Sequence, residues 1–396
     1  MLSESDRVII AGAGIGGLAA ASAVRQAGAG VTVLEQADSM AKIQVGIGMV
    51  LWPNGMRALQ RLGVADVVEA SANPLSALEF YSASGERLMR YPVAGLSKGV
   101  GAPSVAFVRR RLHEELTSTF GDDAITLGAR VESFVEEGDG VTVQLADGGE
   151  VRGDVLIAAD GVHSGLRQRV LGLPGLPEFP PYRYTVWHSI IPFPDRELIK
   201  PGVFYLVFGR GMRFNIFRVD NGTDDTYWAA LDYVPADFQE TGGSKEYLQE
   251  RFAGVTAPVP ALLAATDEDA IDRMQIYGES PVPRWGAGRF TLLGDAAHPL
   301  TTVLGQGAGQ ALEDAMVLAD CLSADPDLVA GLRTYERRRQ ERTGSVIKLI
   351  STLSSAASEE TALRTWIRDQ ILIKRLFRRT IGKRFEATLA AAGKEF

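Results

Sequence analysis

Apolar and polar positions change rhythm repeatedly along the chain, and each change predicts an element. Residues 7–11 form a short apolar run that reads as a buried strand. Glycines follow, then a helical pattern over 18–27 and a second apolar strand over 31–34. Pro53-Asn54-Gly55 opens a helix spanning 54–62. Residues 76–92 predict a hairpin with Ser84-Gly85 at its turn, and 109–120 a helix. Over 125–158, alternation around Gly138-Asp139-Gly140 and Asp147-Gly148-Gly149 predicts a small antiparallel meander. The aromatic stretch 182–234 predicts three or four strands, broken at Gly209-Arg210-Gly211 and Asp220-Asn221-Gly222. Helices at 244–252 and 261–265 precede strands near 271–276 and 290–293, and everything from residue 328 reads as helix.

Composition narrows the class. Of 396 residues, 46% are apolar, an ordinary globular share that suits one large or two interleaved domains. Residues 8–24 carry no charge, yet they are glycine-rich and lack a signal peptide's basic flank. A buried βα unit explains them better than a membrane segment. The single cysteine, Cys321, lies in an apolar helical run and cannot form an internal disulfide, as expected of a core residue in a reducing, cytoplasmic setting. Four histidines, none paired at ligand spacing, argue against a metal. A net charge of −8 without a basic stretch beside an aromatic platform argues against nucleic acid.

Three constellations carry chemistry. Gly12-Ala13-Gly14-Ile15-Gly16-Gly17 lies between the first strand and its helix, and Glu35-Gln36 ends the second strand. The glycines allow a tight turn and close approach of a pyrophosphate to the helix N-terminus, while the acid accepts from a ribose hydroxyl. FAD and NAD fit this half equally. Gly294-Asp295 follows the strand near 290–293, with Pro299 and Gly305-Gln306-Gly307-Ala308 beyond. There a carboxylate meets a polyol and small residues admit a flat ring, which favours a flavin. Third, a buried strand ends in Asp160-Gly161, where Asp160 could orient Arg109 against the pyrophosphate. A solvated helix face is the alternative for Arg109, and the preferred reading for Arg110 and Arg111.

Together these blocks resemble the single-component class A FAD-dependent aromatic monooxygenases, the group of 4-hydroxybenzoate, salicylate and urate hydroxylases. Gly12, Gly14 and Gly17 match the fingerprint glycines, and Glu35 the ribose-binding acid. Val45 to Met49, including Gly48, and Trp52-Pro53-Asn54-Gly55 resemble the segment beside the flavin. Arg109 matches the arginine that reaches the diphosphate, Asp160-Gly161 the motif shared by FAD and NAD(P)H, and Asp295 the ribitol ligand. Pro299 and Gly305 to Ala308 match the loop around the ring; Thr302 departs where many relatives carry a second proline, which implies a looser loop. The resemblance implies an α/β fold: a Rossmann-like FAD-binding domain (1–75, 100–180, 285–345) interleaved with a mixed-sheet substrate domain (76–99, 181–284), plus C-terminal helices (346–396). It further implies FAD as cofactor, NADPH or NADH as transient co-substrate, and transfer of one oxygen from a flavin C4a-hydroperoxide to an aromatic ring. A flavin-dependent reductase, a halogenase or a non-catalytic flavin-binding protein, monomer or homodimer, stays open at this point. The halogenase signature is matched only in part by Trp187 to Pro192, with Ser189 in place of its second tryptophan.

Substrate contacts are expected from the aromatic stretch: His188 as a base, Tyr205 second to it, and Arg213 as a partner for an anionic substrate. Beyond Thr361, nine Lys/Arg stand against three Asp/Glu, interleaved with Trp366, Ile367, Ile371, Leu376 and Phe377. Such a helix can lie on an anionic membrane, but packing on the flavin domain or a second subunit is the preferred reading.

Overall fold

A computed structural model describes residues 2–44, 46–98, 100–173, 184–234, 238, 240–276, 282–392 and 395. Val45 and residues 182–183 of the aromatic stretch therefore lie outside the described residues. Arg7–Ala11 pairs in parallel with Gly30–Leu34 on one side and Val155–Ala158 on the other. Phe290–Leu292 pairs next to Val155–Ala158, and Gly286–Ala287 and Ile125–Thr126 form the edges of this six-stranded sheet. Its central strands are apolar at successive positions because both faces are covered, one by the helix Ile15–Gln26 and the other by strands within 131–153. Ile15–Gln26 packs on Gly307–Ala324, and Gly16 makes that approach possible: a β-carbon there would stand 3.1 Å from that of Ala311.

The 125–158 region splits differently from the expected meander. Val131–Glu137, Gly140–Leu145 and Glu150–Gly153 form a separate antiparallel sheet. Val155–Ala158 leaves it for the centre of the parallel sheet, because all four residues are apolar and need cover on both faces.

The second large sheet has seven strands, ordered Asp272–Ile276, Tyr184–Pro192, Asp225–Asp232, Met212–Arg218, Val203–Phe208, Ala77–Ser82 and Arg87–Pro92. The hairpin expected over 76–92 thus extends the aromatic sheet, through a parallel pairing of Ala77–Ser82 with Val203–Phe208. Alternation along each strand separates two apolar clusters, one on each face.

The C-terminal segment follows the long helix Leu328–Ala357 as Ala362–Ile367, a π-helical stretch Arg368–Leu376 and Ile381–Ala392. It packs on the seven-stranded sheet: the Phe377 ring lies 4.8 Å from Phe80, and Phe385 lies edge-on to Trp52 at 5.1 Å. Lys374 pairs with Glu86, and the Tyr91 hydroxyl donates to Glu386. Packing therefore uses the inward apolar residues, while Leu363, Trp366 and Leu376 face solvent. No described helix is long and apolar enough to cross a membrane.

Candidate active site

The glycine turn is built as a cradle. Gly12 has a φ of 110°, and a β-carbon there would overlap the Ala159 carbonyl. At Gly17 one would overlap the Gly12 carbonyl. Gly14 caps the helix without a side-chain bond, and nothing lies within 4 Å of where its β-carbon would be. Open space therefore faces a helix N-terminus, the arrangement that suits a phosphate. Glu35 is buried, and its carboxylate oxygens accept from the Ala13 and Ala37 amides at 2.7 and 2.8 Å. Gln36 is exposed beside it. His113, which motif reading passed over, pairs its Nε2 with the Ala13 carbonyl at 2.7 Å. Its only sequence signal is helical spacing, one turn after Arg109 on the inner face.

Asp295 lies in the turn Gly294–Ala296, facing the start of the helix Gly307–Ala324; a β-carbon on Gly307 would come within 3.9 Å of its carboxylate. Surrounding protein raises its pKa, against the pull of His298 and Arg109. Half-buried Arg109 donates to the Ile43 carbonyl at 3.3 Å. Burial lowers its pKa and Asp295 opposes that, so the two charges feel each other across the cavity they both line. Asp160 is raised by burial, and its Oδ1 has no hydrogen-bond partner among the described residues. Gly161 beside it has a φ of 79°. Asp160 interacts electrostatically with Arg167, whereas the acid acting on Arg109 is Asp295. Arg167 donates to the Ala296 and Val162 carbonyls at 2.8 and 2.7 Å, tying the Asp-Gly turn to the Gly-Asp turn.

Pro299 is buried, and Gly305 has a φ of 60° where the loop turns into the helix. The loop is firmer than the missing proline implies. The Thr302 amide donates to the Tyr184 hydroxyl at 3.0 Å, and the two hydroxyls lie 2.9 Å apart. Gln306 accepts from Asn54 at 3.0 Å and leaves its Nε2 buried without a partner among the described residues. A helix N-terminus open to an anion, orphaned polar atoms on Asp160 and Gln306, and glycines that no β-carbon could replace fit FAD stretched from Gly14 to Ala308.

Behind the loop lies a buried charge cluster that motif reading also missed. Asp314 accepts from the Gly294 amide at 2.9 Å and pairs with His298 at 2.6 Å and Arg339 at 2.6 Å. Glu313 accepts from Arg339, Arg342 and Asn54 at 2.8, 2.9 and 2.7 Å. Burial alone would raise both acids. His298 and Arg339 outweigh it at Asp314, holding its pKa down to about 2, and Arg339 and Arg342 hold Glu313 low. The signal was present: adjacent acids inside an apolar helix require cations, and Arg339 and Arg342 recur one turn apart in the next helix.

The same cavity, about 350 Å³, continues from Arg109 and Asp295 onto one face of the seven-stranded sheet. Strand pairing sets that floor in rows. Val186, Leu231, Arg213 and Phe208 lie side by side, then His188, Ala229, Asn215, Leu206 and Phe80, then Tyr227, Phe217, Phe204 and Leu78. Arg213 lines the cavity at 2% exposure, and its Nε and Nη2 have no partner among the described residues. Neighbouring Asn215 leaves its Oδ1 unpartnered too. His188 occupies the margin of the middle row without lining the cavity, its ring 5.9 Å from Tyr227. Burial lowers its pKa, with Asp272 opposing. Tyr205 points to the opposite face, where its hydroxyl accepts from the Lys200 amide at 3.0 Å. Of the three substrate candidates, only Arg213 enters the cavity. Tyr205 faces away because alternate positions on a strand point to opposite faces, and His188 shares the floor's face but lies beyond the cavity's edge.

Compared with known proteins, residues 6–349 match the family described as FAD binding domain. An aurachin C monooxygenase/isomerase from Stigmatella aurantiaca is 37% identical over 92% of this chain and 93% of that protein. An FAD-dependent urate hydroxylase from Klebsiella pneumoniae subsp. pneumoniae is 35% identical over 86% of this chain and 88% of its own. The solved structure of Klebsiella pneumoniae HpxO with FAD and uric acid superposes with a TM-score of 0.87 at 31% identity, covering 97% of each chain.

Proposed function

The chain belongs to the FAD-binding family of aromatic monooxygenases and is an FAD-dependent hydroxylase, and from that premise we propose that it uses NADH or NADPH and O2 to insert one oxygen into a small aromatic or heteroaromatic molecule. The observation that carries this reading is one continuous cavity that reaches Arg109 and Asp295 at one end and Arg213 and Asn215 at the other. Bound FAD supplies the electron transfer and the oxygen activation. The chain supplies binding and positioning. The Gly12–Gly17 turn and Arg109 hold the diphosphate, Glu35 the adenosine ribose, and Asp295 the ribityl hydroxyls. Gly48 and the loop from Pro299 to Ala308 lie against the ring, and Asp160-Gly161 and Arg167 keep the two turns in register. Arg213 holds an anionic or carbonyl oxygen of the substrate through its free Nε–Nη2 edge, with Asn215 beside it. The apolar floor excludes water from the reacting centre. His188 flanks the floor and acts on the substrate only through its neighbours; Tyr205 serves packing.

The test is a screen of small aromatics for acceleration of NAD(P)H oxidation by the FAD-loaded protein, followed by product mass. A gain of one oxygen supports the reading. Accelerated oxidation with no oxygenated product for any accelerating compound counts against it, and a product gaining hydrogen instead would indicate a reductase.

A further inference from the structure

Resting on the monooxygenase reading, we propose that the substrate is amphipathic: an aromatic ring whose polar edge places an anionic or carbonyl oxygen at Arg213 and a hydroxyl or N–H donor at Asn215, extended by an apolar chain beneath the C-terminal helical segment. The cavity-lining floor gathers its buried, unpartnered polar atoms at Arg213 and Asn215, with the Tyr227 hydroxyl in the last row the other polar group among the lining residues of those rows. Arg213 and Asn215 stand two residues apart on one strand, about 7 Å, and their floor neighbours Leu231, Phe208, Leu206 and Ala229 are apolar. A small ligand with polar atoms on every edge would leave most of them unmatched here, which costs affinity. A ligand with one polar edge matches this floor better.

The wall facing the floor decides where the remainder goes. It comes from the C-terminal segment, whose π-helical stretch turns Arg368, Leu372 and Ile373 toward the cavity, with Phe377 next. Arg368 is tied through its Nε to the Asp369 carboxylate at 2.7 Å and through its Nη1 to the Gly209 carbonyl at 2.9 Å, and lies 5.2 Å over the Phe208 ring. Its Nη2 has no partner among the described residues, so the wall is polar at this one residue and apolar beyond it. Ile373 and Phe377 are buried, whereas Leu372 lines the same cavity at 39% exposure. The apolar wall therefore runs from the polar pair outward to Leu372, and a chain too long for the interior leaves there.

Salicylate and 5-alkylsalicylates up to hexyl are suitable probes, because each carries a carboxylate, a phenol ring and an adjustable tail. Affinity is read in two ways: quenching of tryptophan fluorescence without FAD, since Trp52 lines the cavity, and perturbation of the flavin absorbance with FAD. Affinity is expected to rise by up to about fourfold per methylene. Leu372→Glu, at a position exposed enough to spare folding, should cut the hexyl-to-unsubstituted affinity ratio at least tenfold, and Leu372→Met should preserve it. Using this ratio cancels any general loss of binding. A flat response to chain length in the wild type, or a ratio unchanged in Leu372→Glu, overturns the inference even where salicylate binds and is oxygenated. Failure of every probe to bind overturns it too. Steep chain-length dependence with no oxygenated product would instead sink the monooxygenase reading and leave the shape of the site standing.

Discussion

Arg339 and Arg213 are both almost fully buried, on opposite sides of the flavin loop, and in opposite circumstances. Arg339 is 0% exposed and binds Asp314, Glu313 and the Gln310 side chain. Arg213 is 2% exposed, and two of its three guanidinium nitrogens lack any partner among the described residues. A buried charge is tolerable only when it is paired. The first arginine therefore belongs to the scaffold: it holds the acids that hold Gly294 and His298. The second keeps two nitrogens without a partner among the described residues, the state that the proposed substrate would complete. On the proposed reading, the satisfied charge belongs to the architecture and the unsatisfied edge of Arg213 is where a substrate binds.

The largest expected effect breaks the satisfied side. Arg339→Met strands two buried carboxylates and should cost about 3–5 kcal/mol of unfolding free energy, read by urea denaturation with FAD saturating. A loss below about 1 kcal/mol would mean that the cluster is solvated and the contrast false. On the other side, Arg213→Met should leave stability unchanged or improved. It should weaken binding of an aromatic carboxylate by about 2 kcal/mol, roughly thirtyfold, and uncouple NAD(P)H oxidation from oxygenation. His188→Ala should do less to both. Destabilisation by Arg213→Met comparable to that of Arg339→Met would erase the distinction.

Acid sharpens the same comparison. Asp314 has its pKa held down to about 2 against an ordinary 3.8. Its contribution is therefore complete above pH 3.8 and is lost as pH falls through about 2. The shift corresponds to about 2 kcal/mol, visible as a steep fall in Tm between pH 4 and 2. That fall should be shallower in Arg339→Met; equal slopes would remove Asp314 as the cause. The smallest effect concerns the loop between the two arginines. Thr302→Val deletes the hydroxyl bond to Tyr184 and should cost about 1 kcal/mol while weakening FAD retention slightly, as measured by flavin release on dilution.

Legibility followed locality. The strand–glycine–helix unit at 7–26, the acid at Glu35 and the Gly294-Asp295 turn were readable because each function needs residues a few positions apart, and β-carbon exclusion at Gly12 and Gly17 gives the physical reason for that spacing. His113 and the Arg339 cluster left signals of need but not of partner, since their partners lie 100 and 25 residues away. The aromatic stretch lay between these cases. Its breaks at Gly209 to Gly211 and Asp220 to Gly222 were legible, but which alternate side chains face the cavity was not. Tyr205 and Arg213 were both candidates, and their strands are neighbours. Only the cover on each face separates them: the C-terminal segment and the flavin loop on one, the helices Ser244–Arg251 and Val259–Ala265 on the other.

By itself the chain's order of residues determined the cofactor class and the elements that hold it, because turn geometry and helix polarity act over a few residues. Tertiary structure alone decided which buried charge would be neutralised from within and which left without a full set of partners among the described residues. It also decided that a basic C-terminal stretch would wall a cavity. Those outcomes depend on which faces meet when distant segments pack, and no short window of sequence contains both faces.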